Sequence, residues 1–200
     1  MGRKPRTWSE SGFYHVVARG NNRQKVFREE EDYTFYLRLC ATALAAYDVQ
    51  LHHYCLMPNH VHLLLSILAP EKLIRFMHQV QRRYWFHIRR KYRFSGHLWQ
   101  GRYHSFPIES ESYLLEAARY MERNPLQAGM VTDIADSMWT SYQWYAFGKP
   151  GDIALTASPG YLSMGPTPAT RQEAYRSYVS TTRPYDVAMH QKLAEITIGA

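Results

Sequence analysis

The chain has 200 residues, 46% of them apolar and 20% charged, with a formal net charge of +7. That balance excludes an intrinsically disordered chain, and the length suits one globular domain with a normal core. No window approaches 18 uninterrupted apolar residues and no apolar signal segment opens the chain, so a cytoplasmic protein without a membrane span is expected.

The charge is uneven. Residues 1–110 hold 17 Lys+Arg against 8 Asp+Glu, whereas residues 111–200 hold 7 against 9. From Lys72 to Ile108 there are nine Lys/Arg and no acid, a pattern that attracts nucleic-acid phosphates and anionic membranes alike. The sixteen tyrosines and five tryptophans suit base stacking as well as a core. Cys40 and Cys55 fit no CxxC or zinc spacing and read as reduced core residues.

In chain order, Phe13–Arg19 is aromatic and β-branched and reads as a strand ended by Gly20-Asn21-Asn22. Glu29–Tyr47 starts with acids and repeats apolar residues at helical spacing, ending near Asp48. Val49–Met57 and Val61–Leu68 are apolar runs around Pro58-Asn59, which predicts a hairpin central to a sheet. Pro70 and Glu71 open a long helix to about Tyr92. Leu73, Phe76, Met77, Val80, Tyr84 and Ile88 line one side of it, and Arg75, Arg82, Arg89 and Arg93 line another. After Ser95-Gly96, His97–Ile108 reads as a loop and an edge strand containing Pro107. Ser110–Arg123 reads as a helix capped by Ser110 and closed by Asn124-Pro125, with Leu114, Leu115, Ala117 and Ala118 packing it on the sheet. Trp139–Phe147 is aromatic, Gly148–Thr170 is rich in Gly and Pro, and Arg171–Val179 looks helical.

Two features carry chemistry. His60-Val61-His62 lies at the start of a strand, where alternation puts both imidazoles on one face, able to chelate a divalent ion. Tyr120 and Asn124 are four positions apart, so one helical turn stacks a hydroxyl and an amide on one face. If that face overlies the histidines, a nucleophile and a third oxygen ligand join the pair. By spacing alone, a core tyrosine and a capping asparagine are the favoured reading.

Four separated segments, YHVVARGNNR (Tyr14–Arg23), MPNHVHLLL (Met57–Leu65), LWQGRYHS (Leu98–Ser105) and RYMERNPLQAGMV (Arg119–Val131), occur in one order. Together they resemble the HUH single-tyrosine transposases, specifically the REP-associated tyrosine transposases, from about residue 10 to 147. The resemblance implies an α+β fold, a central antiparallel sheet of four to five strands flanked by helices, similar to a ferredoxin-like or RRM-like palm. It implies a catalytic domain over residues 1–147 and a C-terminal extension over 148–200. It also implies that His60 and His62 bind Mg²⁺ or Mn²⁺ and that Tyr120 attacks DNA to form a 5′-phosphotyrosine. Asn124 stands where relatives often carry Gln as third ligand. The implied substrate is single-stranded DNA beside a REP-type hairpin, with cutting and rejoining, and a monomer is favoured over a homodimer.

The candidates for phosphate contact are Arg3, Lys4, Arg6, Arg19, Arg23, Arg75, Arg82, Arg89, Arg93 and Arg102, and those for base stacking are Trp99, Tyr103 and Phe106. Three other readings compete. A hairpin-binding regulator would keep the fold without cleavage, a water-using hydrolase would need an acid beside the HxH, and an RRM-like binding module would need no HxH.

Overall fold

The computed structural model describes residues 7–181, and every structural statement below concerns those residues. Arg3, Lys4 and Arg6 lie outside them. Four strands form one antiparallel sheet: β1 (Phe13–Arg19), β2 (Gln50–Met57), β3 (His60–Ser66) and β4 (His104–Ile108), in the order β2-β3-β1-β4. Two inner strands, β1 and β3, bury every residue but the first and last of each, which explains their nearly continuous apolar runs. Strand β4 lies at the edge, where Pro107 removes no ladder bond that the sheet needs.

Alternation divides the strands between two layers. Tyr14, Val16, Ala18, Val61, Leu63 and Leu65 face α1 (Glu30–Tyr47) and α2 (Pro70–Tyr92) across the larger core. The opposite sheet face packs Cys55, Met57, Leu64 and Ile108 against Leu114, Ala117, Tyr120 and Met121 of α3 (Glu111–Gln127). The expected sheet contacts are thus half right. Leu115 points away from the sheet to α5, where any side chain at Gly160 would start 2.6 Å from it.

Helix α3 also runs past its expected end. It continues through Pro125 to Gln127, because Arg119 to Pro125 are all buried between the sheet and the chain beyond. A proline so near the C-terminus sacrifices one backbone bond in a turn that tertiary packing already holds.

After α3, three short helices, α4 (Tyr142–Phe147), α5 (Pro159–Leu162) and α6 (Pro168–Ser180), close over its outer side. Tyr142, Tyr145, Tyr161, Tyr175 and Val179 form a third apolar cluster there. Buried Arg119 donates to the Thr181 carbonyl (2.8 Å) and to Glu116 (2.7 Å), while Arg123 donates to the carbonyls of Val179 (2.9 Å) and Ser180 (3.1 Å). Two arginines one turn apart therefore satisfy the exposed carbonyl end of α6.

The α1–α2 pair is fastened by buried Asp32. Its carboxylate accepts from the backbone N–H groups of Arg28 (3.0 Å) and Glu29 (3.3 Å), and from Tyr92, Lys91 and His87 of α2. Burial alone would raise its pKa, but these donors outweigh burial and leave the carboxyl below its ordinary range. Removing it orphans several donors and a helix start, so Asp32→Ala should cost roughly 2–3 kcal/mol. In a chain of this size that is a fall of about 5–10 °C in Tm, read by thermal melting.

Candidate active site

At the end of the sheet where β1 and β2 finish, β3 and β4 begin. The turn after β1 locks onto the β2–β3 turn there. Gly20 N–H donates to the Asn59 carbonyl at 2.8 Å, and the Val26 and Phe27 N–H groups both reach Pro58 O. A Cβ at Gly20 would lie 2.2 Å from the Gln24 carbonyl, so the tight path requires glycine.

His60 and His62 occupy the α3 face at this end, with ring centroids 4.9 Å apart and planes at 81°. The Asn59 side-chain oxygen lies 2.7 Å from His60 Nδ1. An amide oxygen only accepts, so Nδ1 carries a proton and donates it, which in a singly protonated ring leaves the lone pair on Nε2. The Tyr120 ring stands edge-on to His62 at 5.8 Å. Asn124 Nδ2 lies 3.2 Å from His62 Nε2 and 3.4 Å from the Tyr120 hydroxyl. Tyr120 and Asn124, four residues apart on α3, thus meet His62. The polar face of this helix therefore overlies His62, whose ring neighbours that of His60 in the same chain.

The cationic candidates separate. Arg19 is half-buried on β1 directly opposite His60, on the same face. Its pKa is lowered by burial and by Arg23, while its coupling to Tyr120 acts in the other direction. Arg23 is exposed in the turn that follows, and Arg102 is exposed in the loop leading into β4, both at this end of the sheet. Arg75, Arg82, Arg89 and Arg93 are exposed too, but they belong to α2 and its C-cap, in the opposite layer. Arg82 and Arg89 lie over the rings of Phe86 and Trp85 at 5.5 and 5.3 Å. Among the aromatic candidates, Trp99 packs near Tyr36 and Tyr84 and Tyr103 is buried in the same core, whereas Phe106 lies on the α3 face beside His15.

Two groups near the site escaped sequence reasoning. His15 is fully buried on β1, and its Nε2 lies 2.9 Å from His62 Nδ1. Burial lowers its pKa to about 4, which keeps it neutral. The only advance signal was its alternation with Arg19 on one strand face. The second group is Glu122, buried behind α3. It accepts from Ser141 (2.5 Å) and Tyr175 (3.4 Å) and lies 3.3 Å from His53 Nδ1, tying α3 to β2, α6 and the segment before α4.

Burial pushes Glu122 up to about 8 and His53 down to about 3, so the pair is neutral at pH 7. His52 is held at about 4, again mainly by burial. The histidines take up protons near pH 6.5 only when unfolded, so their contribution is lost as pH falls from about 6.5 toward 4. Glu122 has a raised folded pKa, so its contribution is lost as pH rises toward 8. Thermal stability should therefore peak between about pH 6 and 7, and Glu122→Gln should flatten the alkaline side in melts at pH 5, 7 and 9.

A family model described as "Transposase IS200 like" matches residues 9–124. The chain belongs to the IS200-like transposases. The matched segment takes in His60, His62 and Tyr120 and ends on Asn124. Among solved structures, the IS200-like chain is similar to a REP-associated tyrosine transposase bound to a REP hairpin. The identity is 15% over 79% of this chain and 94% of that one, with a TM-score of 0.62, which establishes the shared fold. A candidate transposase from Deinococcus radiodurans R1 aligns at 18% identity over 64% of this chain and 95% of that one, with a TM-score of 0.42. No curated protein matches the IS200-like chain. None of its helices among the described residues is long and apolar enough to cross a membrane.

Proposed function

We propose that this IS200-like transposase is a divalent-metal-dependent, single-tyrosine strand transferase of the REP-associated type. It would cleave and rejoin single-stranded DNA beside a REP-type hairpin. The observation that carries the reading is the placement of one amide, Asn124 Nδ2, between His62 Nε2 and the Tyr120 hydroxyl.

The donor set fits a divalent ion. His60 and His62 would each offer Nε2, and Asn124 turned about its last torsion would offer its amide oxygen, leaving positions for a phosphate. Two imidazoles with one oxygen suit Mn²⁺ better than Mg²⁺. A bound ion would neutralise charge on the non-bridging oxygens of the scissile phosphate.

The protein's own groups supply the rest. Tyr120, as phenolate, forms the bond to phosphorus while the bond to the upstream 3′ oxygen breaks. That oxygen takes up a proton and leaves as a 3′-hydroxyl, balancing the proton lost by the phenol. The product is a 5′-phosphotyrosine, from which another 3′-hydroxyl can reclaim the phosphate without ATP. Arg19, beside His60 and coupled to Tyr120, favours the phenolate form and the entering phosphate. Arg23 and Arg102 would guide the strand toward this end of the sheet. The α2 arginines would bind a different stretch of DNA, since the sheet separates them from Tyr120.

The contacts of Arg119, Arg123 and Glu122 hold α3 against its own chain, which supports tyrosine action in cis and a monomer. Residues 1–147 would carry the catalysis, with residues 148–200 as an extension whose described part, up to residue 181, packs behind the tyrosine helix.

The test incubates the protein with a labelled single-stranded hairpin oligonucleotide and Mn²⁺, then seeks a denaturant-resistant protein–DNA adduct. An adduct that vanishes with chelator is expected. Tight hairpin binding with no adduct under any condition would replace this reading with that of a hairpin-binding regulator.

A further inference from the structure

His62 has a buried imidazole partner on the neighbouring strand. His15 and His62 are not directly opposed; the cross-strand partner of His15 is Leu64 and that of His62 is Val17. They are diagonal neighbours on one sheet face, a separation that two rings can bridge. His15 Nε2 and His62 Nδ1 are 2.9 Å apart, with centroids at 5.1 Å and planes at 29°. Phe106 of β4 flanks His15 on its other side at 6.0 Å. His15 has no exposed surface, so no solvent competes for this contact.

Hydrogen bonding selects one proton arrangement. Asn124 presents its amide nitrogen, a donor, to His62 Nε2 at 3.2 Å, so Nε2 carries the lone pair. With Nε2 unprotonated, the ring proton of His62 sits on Nδ1 and is donated to His15 Nε2, which accepts. His15 keeps its own proton on Nδ1, a buried atom with no hydrogen-bond partner among the described residues. The opposite arrangement, His15 donating to His62, would protonate His62 Nε2 and set two donors facing each other across 3.2 Å.

We infer that His15 is a positioning residue that holds the ring plane of His62 and, by accepting at Nδ1 while Asn124 donates at Nε2, helps fix its tautomer, so that His62 presents an unprotonated Nε2 toward Tyr120. It does for His62 what Asn59 does for His60, 2.7 Å away. Both histidines are thereby held with the proton on Nδ1 and the lone pair on Nε2, the state in which a pair can chelate. The consequence for metal affinity rests on the reading in Proposed function; the tautomer does not.

The experiment has two readouts on the full chain. Long-range ¹H–¹⁵N correlation spectra report which nitrogen of His62 is protonated, without any metal. The expected result is a protonated Nδ1 in the wild type and a mixture of tautomers in His15→Phe, whose ring fills the same apolar slot beside Phe106. Calorimetric titration with Mn²⁺ alone should then show affinity reduced by roughly 10–100-fold in His15→Phe, with partial recovery in His15→Gln, which restores an acceptor. Far-UV circular dichroism checks that both variants are folded. A wild-type His62 protonated on Nε2, or a His62 tautomer unchanged in His15→Phe, overturns the inference, as does wild-type Mn²⁺ affinity in that variant. If the tautomer shifts as expected but the wild type binds no Mn²⁺, the role of His15 stands and the metal reading falls.

Discussion

Tyr120→Phe should abolish the covalent adduct with hairpin DNA while leaving hairpin affinity within about twofold. Loss of the attacking oxygen removes the bond-forming step, so strand cleavage should fall by roughly 10⁴-fold or more, the scale seen when an enzyme loses its nucleophile. The substitution is mild for the fold. The Tyr120 ring packs among Leu114, Ala117 and Met121, and phenylalanine keeps that ring while deleting only the hydroxyl that meets Asn124. Stability should change by less than about 1 kcal/mol, since the group removed is one hydrogen-bonding hydroxyl. Denaturing gels with end-labelled DNA measure the adduct, and a filter or polarisation assay measures binding. If Tyr120→Phe still forms the adduct, another residue is the nucleophile.

His62→Ala should give the second largest effect and through a different quantity. It removes the imidazole shared by His15, Asn124 and Tyr120, and leaves His60 as the sole histidine of the pair. Lewis-acid stabilisation of a developing phosphate charge is worth several kcal/mol, so cleavage should drop by about 10³-fold. Unlike Tyr120→Phe, this loss should shrink as Mn²⁺ is raised, because a weakened site still fills at high concentration. A rate measured against Mn²⁺ concentration separates the two: the tyrosine variant lowers the plateau alone, and the histidine variant shifts the midpoint as well. A midpoint identical to that of the wild type would remove His62 from the metal site.

Much of this arrangement was legible in the residues. Strands β1, β2 and β3 and helices α1 and α2 lie within a residue or two of their expected limits, because each buries one regular stripe or run whose period identifies it. The stop at Asn124-Pro125 was misplaced for a reason of packing. Proline rules describe a helix end in solvent, whereas this one is enclosed by the sheet and by α6. Of the helices after Gly129, α6 contains the expected Arg171–Val179 helix, whereas α4 and α5 were faint for a similar reason. Helices α4 and α5 are 6 and 4 residues long, too short to display a period, and they hold their form through buried tyrosines and the Glu122 contacts.

The chemistry follows the same division. Periodicity assigns each side chain to a face of its own element: His60 with His62, Tyr120 with Asn124, the α2 arginines with one another. Local spacing is enough for that, since it depends on backbone geometry within one segment. It says nothing about which elements share a layer. The strand order β2-β3-β1-β4 does that, bringing α3 over the histidines, setting His15 diagonal to His62 and leaving the arginines of α2 behind the sheet. These are contacts between residues 47 to 62 positions apart along the chain. They arise only when burying both apolar faces of one sheet leaves a single way to stack the helices.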